Sequence, residues 1–120
     1  RIYRVNVMAM DYAIPMPNGG MGAAAISAVD ATREQLRQLG LETQLGITPM
    51  IGVNDSPGET FTLEDAQRVL DYALQHRDVT LLAFWSLGRD NGSCSGIVSP
   101  NCSGIAQQWW AFTRIFLNFR

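Results

Sequence analysis

Three short stretches place carboxylate, amide and indole groups where a ligand could be held. They are Asp11-Tyr12, Asn54-Asp55 and Trp85-Ser86, with Arg89-Asp90 just beyond the last. Each follows an apolar run of strand length. At a strand end in an α/β fold, a carboxylate can orient polar groups, and an indole beside polar loops can give a sugar ring a flat apolar platform. A local explanation competes, because Asp and Asn also close strands through their turn preference. It suits Asn54-Asp55 best. It suits Asp11 less well, since Met8, Met10 and Tyr12 surround that residue with bulk that a simple turn does not need. Trp85 could equally be a core residue.

Other chemistries find little support. His76 is the single histidine, at the end of a helical pattern where it suits the helix dipole, and it can serve no Ser or Cys nucleophile. Asn18-Gly19-Gly20 lacks the Lys-Ser/Thr that a phosphate loop requires. Met8, Met10, Met16 and Met21 read as gap-filling core residues rather than a redox or metal site. Cys94 and Cys102 lie in a Gly/Ser/Asn/Pro-rich loop. They are either two free thiols or a short disulfide loop of a secreted protein, whose closure would contribute roughly 2–3 kcal/mol. Zinc is not expected, because neither cysteine has a paired ligand spacing.

The elements that must position these groups alternate between strand and helix. Ile2 to Met10 reads as a buried strand, and Gly22 to Leu39 as a helix. That helix has Ala25, Ile26, Val29, Leu36 and Leu39 on one face and Gly40 as its C′ residue. A second strand runs from Ile47 to Val53 and is closed by the turn signal Asn54 to Gly58. Thr62 with Asp65 starts a second helix, whose stripe is Ala66, Val69, Leu70, Ala73 and Leu74. The third strand is Val79 to Ser86. After the cysteine loop, Ser103 is expected to cap a last helix carrying Ile105, Trp109, Phe112, Phe116 and Phe119.

The 120 residues are 47% hydrophobic and 17% charged, which excludes a disordered chain. A net charge of −2 with pI near 5.2 argues against a nucleic-acid partner, which needs a basic field. No apolar run reaches the roughly 18 residues of a membrane span, so no membrane partner is expected, and no charged-then-apolar leader is visible. Right-handed βα crossovers moving in one direction put every helix on one face of a parallel sheet. The opposite face, expected to carry Val, Met, Ile and Phe, would be bare, so the pattern suits part of a closed barrel. A doubly wound sheet is possible if the chain reverses at one crossover.

Three motifs carry a specific resemblance: Val5-Asn6-Val7-Met8-Ala9-Met10-Asp11-Tyr12, Gly46-Ile47-Thr48-Pro49-Met50-Ile51-Gly52-Val53-Asn54-Asp55 and Phe84-Trp85-Ser86-Leu87-Gly88-Arg89-Asp90. With Cys102 to Ile105 and Gln107, the chain resembles bacterial chitinases of glycoside hydrolase family 18. That resemblance implies an α/β fold of three consecutive βα units with parallel strands, corresponding to strands six to eight of a (β/α)₈ TIM barrel. It makes residues 1–120 one partial domain, the C-terminal units of a catalytic domain that typically needs about 250 residues.

Family 18 enzymes are retaining glycosidases that use the substrate's own N-acetyl oxygen as nucleophile while a Glu protonates the leaving oxygen. That Glu ends an Asp-x-x-Asp-x-Asp-x-Glu motif on the fourth strand, and no such motif occurs here. The four glutamates, Glu34, Glu42, Glu59 and Glu64, are expected in helices or loops. The resemblance assigns Asp11 and Tyr12 to orienting the N-acetyl group, with Met10 at the family's Tyr position and Tyr12 supplying the hydroxyl one residue later. It makes Trp85 the hydrophobic floor under the sugar, with Met8, Met10 and Asn54 lining the substrate site. The expected ligand is chitin or an N-acetylglucosamine oligosaccharide, with no cofactor or metal, in a secreted, extracellular protein inactive alone. The expected partner is the remaining N-terminal barrel part. The alternative is a non-catalytic carbohydrate-binding or self-associating partial barrel, its apolar face covered by a second copy.

Overall fold

The computed structural model describes all residues, 1–120. Three strands, β1 (Arg4–Ala9), β2 (Gln44–Pro49) and β5 (Val79–Leu82), form a parallel sheet in the order β1-β2-β5. Between β2 and β5 lies a small antiparallel hairpin, β3 (Gly52–Val53) with β4 (Thr60–Phe61). Helix α1 (Gly20–Gln38) connects β1 to β2, α2 (Leu63–Gln75) leads into β5, and α3 (Ala111–Phe116) follows the cysteine loop. The strands run in sequence order without a reversal, so the arrangement is α/β with a parallel sheet and not doubly wound.

Local chemistry accounts for the helix ends. Gly40, at φ +68°, closes α1 with Gly40 N–H donating to Arg37 O and Leu41 N–H to Leu36 O, the paired bonds of a Schellman end. Helix α2 opens on a capping box, with Thr62 Oγ1 accepting from Asp65 N–H and Asp65 accepting from Thr62 N–H. Asp65 also accepts from Gly22 N–H in the first turn of α1 at 2.9 Å, which locks the two helix starts together.

The core lies between the helices and one face of the sheet. It is built from Ala25 and Val29 of α1, Leu45 and Ile47 of β2, Ala66 and Val69 of α2, Val79, and Phe112 and Phe116 of α3, with Ile51 and Phe61. Leu39 and Leu74, expected on buried stripes, are exposed because each falls at the rim where its helix leaves the core. The second strand begins earlier than its apolar run predicts. Ladder bonds from β1 carry Gln44 into the sheet, while Gly52-Val53 peels away to pair with Thr60-Phe61. The last helix starts eight residues after Ser103, whose hydroxyl instead donates to Asn91 O. The buried Asp90 carboxylate caps α3, accepting from Phe112 N–H at 3.1 Å and Thr113 N–H at 2.8 Å.

The face of the sheet away from the helices is bare, as expected, but it is not the apolar surface that was expected. Register places Arg4 beside Gln44, Asn6 beside Gly46 and Met8 beside Thr48, and Thr80 joins the first pair. Arg4 donates to Thr80 Oγ1 and Gln44 Oε1, and Thr48 donates to Asn6 Oδ1. The Val and Ile residues of the strands (Val5, Val7, Ile47, Val79) all turn toward the helices, because period-two alternation leaves the intervening polar residues on the other side. Gly46 fits under this ladder, since a Cβ there would press on Asn6 and Leu81. No helix is long and apolar enough to cross a membrane.

Candidate functional site

The C-terminal ends of the three parallel strands bring most of the singled-out residues to one edge. Met50 pairs with Trp85, and Ile51 N–H donates to Trp85 O at 2.9 Å while Trp85 N–H donates to Pro49 O at 2.8 Å. The Trp85 backbone is thus locked to β2 while its side chain stays 57% exposed; the Trp85–Ser86 peptide is cis. Within this chain the indole on its fixed backbone joins no core cluster. It suits an apolar platform. Met8, 60% exposed, ends the bare-face row of β1, and Met10 is half-buried beyond it.

Asp11 sits in the turn after β1 at φ +50°, a conformation costly for a residue with a Cβ. Its backbone N–H donates to Asn54 Oδ1 at 3.3 Å, and its Oδ1 accepts from Ser56 N–H at 3.2 Å. Asn54 itself is 1% exposed, and its Nδ2 donates to Met50 O and Gly52 O. The amide therefore fastens the β1 turn to the hairpin loop and has no free polar atom directed at solvent. Gly52 is needed beside it: at φ +72° its backbone lies against Ser103, where a Cβ would collide with the Ser103 carbonyl.

Tyr12 takes a different direction from Asp11. It packs against the core and lines an apolar cleft of about 590 Å³ on the α1 side, with Ile14, Met16, Ala24 and Ala28. Its hydroxyl is buried without a partner, and burial, aided by the Glu59 charge, pushes it up to about 12. The Asp11-Tyr12 pair expected to act together is thus split: the left-handed backbone at Asp11 and Ala13 leaves Asp11 on the hairpin-loop side and turns the Tyr12 ring toward α1.

Sequence reading gave no role to Glu59 and only a position to Arg89. Glu59, 2% exposed, accepts from Tyr12 N–H at 2.9 Å and Ala13 N–H at 2.8 Å, holding the strained turn after β1. Arg89 is fully buried. Its Nε donates to Ser99 O and Cys102 O, and its Nη2 to Val53 O at 2.7 Å. No carboxylate pairs with it. Burial lowers its affinity for the proton, while the charges of Asp55 and Asp11 oppose that effect. Nothing in the spacing flags Glu59. The only available signal for Arg89 is its place four residues after a strand-end tryptophan.

Cys94 and Cys102 are joined in a disulfide, Cα–Cα 5.8 Å, so the two-thiol alternative does not describe this fold. The loop they close reaches back over the strand ends. Val98, Ser99 and Pro100 share a cleft of about 190 Å³ with Met50, Asp55, Trp85 and Arg89. No three His, Cys, Asp or Glu side chains are grouped to hold a metal ion. The arrangement can stack an apolar ring face on Trp85 with Asp55 in the cleft wall, and Asp11 is bonded to the next residue of that loop, Ser56.

No family model matches the sequence. The chain is 33% identical over 132 aligned positions to a probable bifunctional chitinase/lysozyme of Escherichia coli (strain K12), which takes in 96% of this chain. It is 36% identical over 100 positions to endochitinase 11 of Metarhizium anisopliae, taking in 72% of this chain. It spans only 14% and 19% of those proteins. Among solved structures, the catalytic domain of a hyperthermophilic chitinase from Pyrococcus furiosus superposes with a TM-score of 0.88 at 40% identity. The match covers 99% of this chain and 40% of that one. Site mutants of active domain 2 of the Pyrococcus chitinase, complexed with chito-oligosaccharides, match equally well. At this identity the shared fold reflects common descent, and the chain belongs to the chitinases, matching one part of their catalytic domain.

Proposed function

We propose that this chain forms the C-terminal three βα units, strands six to eight, of a family 18 chitinase barrel and supplies the sugar-binding floor of its active site. In the complete domain the reaction is hydrolysis of β-1,4-linked N-acetylglucosamine with retention, the substrate's N-acetyl oxygen attacking the anomeric carbon. Trp85 stacks under the ring at the cleavage point, with Met8 and Met10 continuing the apolar wall and Asp11 orienting the N-acetyl group. Asn54 acts through Asp11 by holding its turn. Tyr12 contributes to the packing that supports Asp11, since its hydroxyl lies on the helix side.

The observation that carries this reading is the exposed Trp85 side chain on a locked backbone, at the same sheet edge as Asp11, in a chain 40% identical to a chitinase catalytic domain. The proton donor comes from outside these residues. Glu59 is buried on two backbone N–H groups, and Glu34, Glu42 and Glu64 are exposed on or beside the helices, away from the Trp85 cleft. The partner is the N-terminal part of the barrel. The hydrogen-bonded row of Arg4, Gln44, Thr80, Asn6 and Thr48 suits a layered barrel interior better than an apolar contact with a second copy. A disulfide of this kind fits a secreted protein.

Calorimetric titration of the chain with N-acetylchitotetraose tests the reading. Binding is expected, and Trp85→Ala should weaken it at least tenfold, with turnover in the completed enzyme falling by a similar factor. Unchanged affinity would assign the indole to another contact.

A further inference from the structure

The cleft beside Trp85 has walls from three separate segments, and one side chain ties them together. The strand end gives Trp85 and Met50, the hairpin loop gives Asp55, and the cystine loop gives Val98, Ser99 and Pro100. Arg89 lies beneath them, fully buried, and its guanidinium donates to a carbonyl of the hairpin, Val53 O, and to two carbonyls of the cystine loop, Ser99 O and Cys102 O. Arg89 N–H in turn donates to Ser86 O, next to Trp85. A planar fork of five donors on a cationic centre fixes several acceptors at once, which a lysine ammonium on a flexible stem cannot reproduce. The cost of burying this cation without an ion pair is large, and structural packing alone would be met as well by an apolar side chain.

We propose that Arg89 is a positioning residue that sets the width of the slot between Trp85 and the cystine loop, and that Val98 to Pro100 form the slot's second wall against a sugar. The identity of the sugar rests on the function proposed above; the positioning role does not. The disulfide belongs to the same device. Cys102 carries both a carbonyl that Arg89 holds and the sulfur that closes the loop, while Ser99 pairs with Cys102 across it. Loosening either end releases the same wall.

The sequence has three tryptophans. Changing Trp109 and Trp110 to Phe leaves Trp85 as the single emitter. In that background, Arg89→Lys is expected to lower affinity for N-acetylchitotetraose about tenfold, and Cys94→Ser/Cys102→Ser about threefold. The combined variant should fall no further than Arg89→Lys alone, because coupled residues are non-additive. Additive losses, or wild-type affinity in Arg89→Lys, would overturn the proposal. Acrylamide quenching of Trp85 reads the slot without any sugar. Its quenching constant should rise about twofold on Arg89→Lys and on mild reduction of the disulfide, as the wall withdraws. If Arg89→Lys does not fold, the reduced Trp109→Phe/Trp110→Phe parent gives the same reading, and unchanged quenching there overturns the proposal. Failure of the parent to bind the tetrasaccharide while quenching responds would sink the sugar assignment and leave the positioning role standing.

Discussion

The two ends of the parallel sheet are held by opposite kinds of chemistry. At the N-terminal end the polar contacts are exposed or half-exposed: Arg4 donates to Thr80 and Gln44, and Arg33 bridges Asp78 and Asp30 and donates to the Tyr72 hydroxyl, which donates to Asp30. At the C-terminal end the polar groups are buried. Glu59, Asn54, Arg89 and Asp90 are each at most 2% exposed, and nearly all their partners are backbone groups. Surface pairs of the first kind contribute little individually, whereas buried polar groups are costly to leave unmatched. An edge built from buried groups therefore holds loop backbone in fixed and even strained positions, Asp11 at φ +50° and Ala13 at φ +55° among them. That rigidity is what the binding edge proposed above needs to present Trp85. The other end only has to keep the layers together.

The largest expected break in this contrast is Glu59→Ala. It takes the acceptor from the half-buried Tyr12 N–H and from the Ala13 N–H, which water can reach, and empties the buried carboxylate's own site, so urea unfolding should show a loss of about 3 kcal/mol. Chito-oligosaccharide affinity should fall with it, since Asp11 adjoins the released turn. A loss under about 1 kcal/mol would mean that the turn after β1 does not depend on its buried carboxylate. Asn54→Ala should follow at about 2 kcal/mol. It removes the donor to Met50 O and Gly52 O, but the Asp11 N–H it also releases is half-buried and water can serve it.

The contrast also explains what could be read ahead of the structure. The βα alternation, the capping box at Thr62, the Gly40 helix end and the strand-end position of Asp11 and Trp85 rest on period and local propensity, which a linear sequence carries. The polar character of the bare face is hidden in the sequence by the high apolar content of the runs, and it shows only once Arg4, Asn6, Gln44 and Thr48 are set at alternate positions of paired strands. The opposed directions of Asp11 and Tyr12, and the tasks of Glu59 and Arg89, depend on which backbone groups lie nearby after folding. Glu59 grips a turn 46 residues away in the chain, and Arg89 a carbonyl 36 away. No local pattern encodes such partners. Ser103 failed as a cap for the same reason: Asp90, 23 residues from Thr113, does the capping.

The smallest expected effect tests the other end. Hydrogen bonding to Arg33, reinforced by its charge, holds the Asp78 carboxyl below the usual carboxylate range. A carboxyl whose folded value lies below its unfolded value of about 3.9 stabilises the protein above that pH, and the contribution disappears as pH falls through the folded value. Both side chains are about a third exposed, at 31% and 37%, so the pair is partly screened. Asp78→Asn should therefore cost only about 1 kcal/mol at neutral pH. As pH falls below about 3.9 the gap to the parent should narrow, because the stabilisation from the parent's Asp78 charge fades from its unfolded value downward. Stability measured by urea unfolding at pH 7, 5 and 3 gives this trend, and a gap independent of pH would assign the contribution to shape and neutral hydrogen bonding. Chito-oligosaccharide affinity at pH 7 should be untouched by Asp78→Asn. A parallel fall in affinity would mean that the two ends of the sheet are mechanically coupled and that the binding edge draws its rigidity from the whole layer, not from its own buried groups.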